Sequence, residues 1–145
     1  MSADRRGAIP QQIDKFASAQ ASRLMGKLAF QVKHAAKHTD EEAIHDLRVS
    51  IRRLSQCLRE FRQFFPKQKV KGILKKLGKV MDLAAEMRNR DVAIELIGKD
   101  AAAAGPEILA SFWHEREQFK RELITALVQW RRHDFTRKWR PWLAP

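Results

Sequence analysis

The chain has 145 residues, 44% of them hydrophobic and 32% charged, with 29 Lys and Arg against 17 Asp and Glu and a formal net charge of +12. That length suits one domain with a real core, and that balance excludes a disordered tail. No apolar run approaches the roughly 18 residues that span a bilayer.

The positive excess points to a polyanionic partner: nucleic acid, acidic lipid, an acidic protein surface or polyphosphate. A basic surface with no such ligand is the alternative. The single Cys57 has no disulfide or CxxC partner and reads as a small packing residue. The opening MSADRRGAIPQQ lacks an apolar signal region, so a reduced, cytoplasmic setting and no membrane partner are expected.

Few glycines and prolines, and no run of period-two alternation, predict helix throughout. Residues 1–10 read as a flexible leader, and 11–145 as a single helical domain. A first helix is expected from Gln11 to Lys37, with Ile13, Phe16, Ala17, Leu24, Leu28, Val32 and Ala35 on its apolar face. Thr39 and Glu42 fit a capping box, with Asp40 and Glu41 favouring the helix start that follows.

The second helix, Ile44 to Phe65, is the most informative stretch. Ile44, Leu47, Ile51, Leu54, Leu58, Phe61 and Phe65 recur in steps of three and four, a heptad seam. One position along, His45, Arg48, Arg52, Ser55, Arg59 and Arg62 form a row that is basic everywhere except Ser55. At about 100° per residue this row lies roughly a quarter-turn from the seam. Pro66 ends the helix.

A third helix is expected from Lys67 to Ile97, with a stripe through Val70, Ile73, Leu74, Leu77, Val80, Met81, Ala84, Met87 and Ile94. Gly72 and Gly78 either weaken it, by about 1 kcal/mol each relative to Ala, or permit close helix approach. Gly98 to Pro106 is a connection with helical bias at its alanines. Pro106 opens a fourth helix through Leu109, Phe112, Phe119, Leu123, Leu127 and Trp130. The tail extends it or forms a short fifth helix before Pro141. These elements predict an all-α fold, an antiparallel four-helix bundle with a short C-terminal extension.

From His45 to Lys79 there are eleven Lys and Arg but only two acids, Asp46 and Glu60. If the second and third helices are neighbours, their basic rows share a groove suited to a linear polyanion. The aromatics of the second helix cluster at one end near the seam, as core, which favours phosphate over base recognition.

The segment IHDLRVSIRRLSQCLREF resembles the signature helix of the CHAD family, the conserved histidine α-helical domain. The matching residues are His45, Arg48, Val49, Arg52, Arg53, Leu54, Leu58, Arg59 and Phe61. AAEMRNRDVAIEL is similar to a second family block through Arg88, Asp91 and Val92. The tail is similar in pattern to the family's fourth helix. The resemblance implies a helical module that binds inorganic polyphosphate through basic side chains and associates with polyphosphate granules. Full family domains contain two four-helix halves. This chain corresponds to one half; a symmetric homodimer would rebuild the paired arrangement, a monomer with a shallow groove is the alternative, and Trp130, Trp139 and Trp142 are either a dimer interface or intrachain core.

The expected ligand residues are His45, Arg48, Arg52, Arg53, Arg59, Lys75, Lys76, Lys79 and Arg88. Arg53 lies a further 100° round the helix and reaches the ligand from the rim or crosses to a partner. His45 is read as a phosphate donor at a helix start. No cofactor or metal is implied: His38, His114 and His133 are scattered, and no phosphate-binding loop or nucleophile motif is present. A binding module and not an enzyme is therefore expected. A nucleic-acid or acidic-protein binder is the first alternative. A metal-dependent polyphosphate-processing enzyme using Asp82 and Glu86 is the second.

Overall fold

The structure is a computed structural model that describes residues 2–144, with side chains described at 11–100 and 102–144. Its helices are α1 (Ser2–Lys37), α2 (Glu41–Glu60), α3 (Lys67–Lys99), α4 (Ala101–Ala104), α5 (Pro106–Arg132) and α6 (Phe135–Leu143). No strand occurs among the described residues. The fold is all-α, as the periodicity predicts. The first helix begins at Ser2, ahead of the expected Gln11, within the stretch read as a leader, whose side chains lie outside those described.

Local chemistry accounts for the boundaries. Asp40, not Thr39, caps α2: its extended backbone (φ −84°, ψ 172°) lets its carboxylate accept from the Ala43 amide at 2.8 Å. The helix also stops sooner than its seam suggests. Phe61 closes it by donating a backbone N–H hydrogen bond to the Cys57 carbonyl, and Arg62–Phe64 form a 3₁₀ turn. Pro66 is the cause, because it holds Phe65 extended at φ −122° and ψ 155°. Gly105, at φ 84°, makes the turn into Pro106 and α5.

The tail is a separate helix. Asp134 turns the chain at φ 45°, a left-handed conformation that aspartate tolerates better than most residues. α6 runs through Pro141 instead of stopping before it. Trp139 and Leu143, on either side of that proline, are both buried. The Ser18 hydroxyl donates to the Leu143 carbonyl at 2.6 Å, tying the end of α6 to α1.

The most extensive contacts are between α1 and α2 and between α3 and α5. Lighter contacts of α2 with α3, and of α1 with α5 and α6, join these pairs. Met25, Leu28, Leu47, Ile51, Leu54, Leu58, Ile73, Leu77, Met87, Leu123, Leu127 and Trp139 are fully buried. Trp139 packs with Phe135 and Trp130, ring centroids 5.0 and 5.8 Å away, so it is intrachain core. Trp142 is half-buried under Lys69. Cys57 is buried as expected, and burial pushes its thiol pKa up.

Helix lengths explain the misplaced apolar residues. α2 spans about 30 Å, whereas α1 and α3 each reach about 50 Å. The long helices therefore overhang it. Phe16, expected in the core, is 52% exposed and meets only the edge of Phe61 among aromatic partners. Ile13 is also exposed, and Leu109 and Phe112 are half-buried.

The glycines of α3 do not mark close approach. A Cβ at Gly72 or Gly78 meets no heavy atom within 4 Å. Gly72→Ala is expected to stabilise the protein by about 0.4–1 kcal/mol. Leu54→Ala is expected to destabilise it by about 2–5 kcal/mol. Denaturant midpoints for the two variants check both signs.

Candidate functional site

The heptad seam determines where the basic row points. With Leu47, Ile51, Leu54 and Leu58 wholly buried, a quarter-turn rotation directs Arg48, Arg52, Ser55 and Arg59 along the flank next to α3. That contact is lighter than those of α2 with α1 and of α3 with α5, and hollows open along it.

Three hollows succeed one another. At the turn end, Arg59, Arg62, Lys67 and Lys71 surround Leu58, Phe65, Val70 and Leu74. Midway, Arg52, Ser55 and Arg59 face Leu74, Gly78, Met81 and Asp82. At the start of α2, His45 and Arg48 meet Arg88, Asp91 and, from α5, Arg116. Arg59 and Leu74 line the first two hollows, and Arg48 and Arg52 are one helical turn apart. The first two share a wall and the third lies one turn further along α2, so the run of hollows extends about 25 Å from His45 to Arg62.

The charge is graded along it. Toward the turn, five cations face one carboxylate, Asp82. Toward the start of α2, acids answer the cations. Arg88 pairs with Glu41, and Arg116 with Asp91. The first pair is exposed and weak, and the second is more enclosed. The Arg48 guanidinium is half-buried, and its Nε has no hydrogen-bond partner. Arg90 bonds to Glu115 and Glu86, and these bonds, the Glu115 one first, hold its guanidinium pKa above the ordinary arginine value.

Of the expected ligand residues, His45, Arg48, Arg52, Arg59 and Arg88 line this groove. Arg53 is exposed outside its hollows, and Lys75 stands on the solvent side one turn after Lys71. Lys76 and Lys79 do not face it; they line a hollow on the opposite flank of α3, against α5 and α6. Helical phase is the reason, since Lys76 lies about 140° round the helix from Lys71. The same arithmetic selects Lys67 and Lys71. Arg116 carried no signal in the sequence, because only packing brings α5 beside His45.

Two further expectations change. The α2 N-terminus is not open for an anion through the Ala43 amide, because Asp40 already accepts from it. Ser55 is not a gap in an exposed row: it is 7% exposed, set into the α2–α3 seam. Glu86 is paired with Arg90, and Asp82 lines the middle hollow. Among the described residues, no group of three His, Cys, Asp or Glu is placed to hold a metal ion, and no helix is long and apolar enough to cross a membrane.

A family model described as CHAD domain matches residues 19–145, which include every residue of this groove. No curated protein and no solved structure matches the chain.

The buried Ser55 yields a test of the geometry. Ser55→Lys, which would complete the basic row on paper, is expected to lower stability by about 1–3 kcal/mol by placing an ammonium in the seam. Chemical denaturation measures this. An unchanged midpoint would place Ser55 at the surface.

Proposed function

The chain belongs to the CHAD domain family, and on that premise we propose that it binds inorganic polyphosphate along the α2–α3 groove. The family is associated with polyphosphate binding in general. The observation that carries the reading for this chain is the linked run of hollows, with five Lys and Arg facing one acid over its turn half. A linear polyanion laid there neutralises successive cations and releases condensed counterions. Arginine forks offer paired hydrogen bonds to phosphate oxygens. Arg88 joins when phosphate replaces the exposed Glu41 carboxylate.

The module binds and does not catalyse. In support, three carboxylates close to the cations are engaged, Glu41 by Arg88, Glu86 by Arg90 and Asp91 by Arg116, which leaves Asp82 alone in the middle hollow. The four long helices α1, α2, α3 and α5 are read as an antiparallel four-helix bundle, one half of a paired arrangement. A homodimer supplies the other half. Exposed Val92, Leu96, Ile108 and Trp113, on the overhanging parts of α3 and α5, favour such pairing. Binding of this kind serves association with polyphosphate granules in the cytoplasm.

Titration of long-chain polyphosphate against duplex and single-stranded nucleic acid of equal charge tests the ligand. Polyphosphate is expected to bind tightest, and equal affinity for all three would replace this reading with a general polyanion binder. Arg52→Ala and Arg59→Ala are expected to weaken binding and each to reduce the salt slope by about one. Glu41→Gln is expected to tighten it by freeing Arg88. Phosphate release with Mg²⁺ that disappears in Glu86→Gln would make the protein an enzyme.

A further inference from the structure

Lys76 and Lys79 belong to a second basic surface that the α2–α3 groove does not use. On the far flank of α3 they border a hollow of about 350 Å³ closed by α5 and α6. Lys138 of α6 and His133, at the end of α5, complete its polar rim. Its floor is aromatic, with Trp130, Phe135 and Trp139 packed as a cluster. No carboxylate lines it, and none of the three lysines pairs with an acid among the described residues. The adjacent Asp134 carboxylate accepts from the Thr136 hydroxyl at 3.1 Å.

The backbone is shaped to make this hollow. Asp134 holds a left-handed conformation that side chains rarely adopt, and it turns α6 back beside α5. Trp139 is then buried, while Trp130 remains half-exposed at the hollow. A bare, strongly hydrated anion leaves such a floor unused. A ligand with an aromatic ring joined to a phosphate chain uses both parts, stacking its ring on the indole and setting its charge among the lysines.

We propose that the hollow between α3, α5 and α6 is a second binding site, which takes a nucleoside polyphosphate with its base against Trp130 and its phosphates among Lys76, Lys79 and Lys138. The site is separate from the α2–α3 groove and does not depend on what that groove binds. Phosphates bound on both flanks of α3 would let a nucleotide signal and a linear polyanion occupy one protein together.

Isothermal titration of the full chain with ATP, inorganic tripolyphosphate and adenosine tests this. In an Arg52→Ala, Arg59→Ala background, which removes most phosphate binding by the α2–α3 groove, ATP is expected to bind at least tenfold tighter than tripolyphosphate, because only ATP carries the ring, and adenosine more weakly than ATP. Lys79→Ala and Lys138→Ala, both at exposed positions, are each expected to weaken ATP about tenfold. Arg52→Ala is expected to leave ATP binding within twofold. Trp130 also supports Trp139, so Trp130→Leu is assayed beside a melting curve and the lysine variants decide the matter. No ATP binding, equal affinity for tripolyphosphate, or equal loss from Arg52→Ala and Lys138→Ala would each overturn the proposal.

Discussion

The burial of the α2 seam is the constraint on which the rest depends. Leu47, Ile51, Leu54 and Leu58 leave no surface to solvent, so α2 cannot rotate about its axis without exposing them. Each such side chain is worth roughly 1.5–3 kcal/mol when buried. That outweighs any preference of exposed arginines for one direction over another. The azimuth of the cations is therefore set by the hydrophobic face, and electrostatics acts on what that face leaves available. Ser55 shows the coupling at one position: the row passes so near α3 there that a small hydroxyl is accommodated where its neighbours are long and charged.

Within the groove, the contrast between its ends follows from which helices supply acids. Near the turn, α2 and the start of α3 contribute almost only cations. Near the start of α2, the acids that suit a helix N-terminus, Glu41 among them, come close to Arg88. The same residues that favour helix initiation thus temper the charge of the site. An exposed pair such as Glu41–Arg88 contributes at most about 1 kcal/mol. The Arg116–Asp91 pair is more enclosed and ties α5 to α3, holding a wall of the groove in place.

α3 has a different role from α2, because its lysines occur on more than one face. Lys67 and Lys71 look toward α2, while Lys76 and Lys79 look toward α5 and α6. The left-handed turn at Asp134 and the Ser18 bond to Leu143 return α6 to the body of the protein and give that second flank an aromatic floor. A single cation-rich helix thereby borders two chemically different hollows, one with cations around a mainly aliphatic floor and one with cations over an aromatic floor.

Much was legible in the residues alone. The helical character, the starts of α3 and α5 at Pro66 and Gly105–Pro106, the seam and the basic row of α2 are all consequences of local backbone preferences and of periodicity within one helix. So was the CHAD resemblance, which rests on that row. Tertiary structure decided what periodicity cannot carry: the angle of each helix about its axis relative to its neighbours. That angle separates Lys71 from Lys76, adds Arg116 from a distant part of the chain, sinks Ser55 into the seam and leaves Phe16 beyond the end of α2. A sequence records which side chains share a face of one helix, but which face meets which neighbour is settled only when the apolar surfaces of all the helices are buried together.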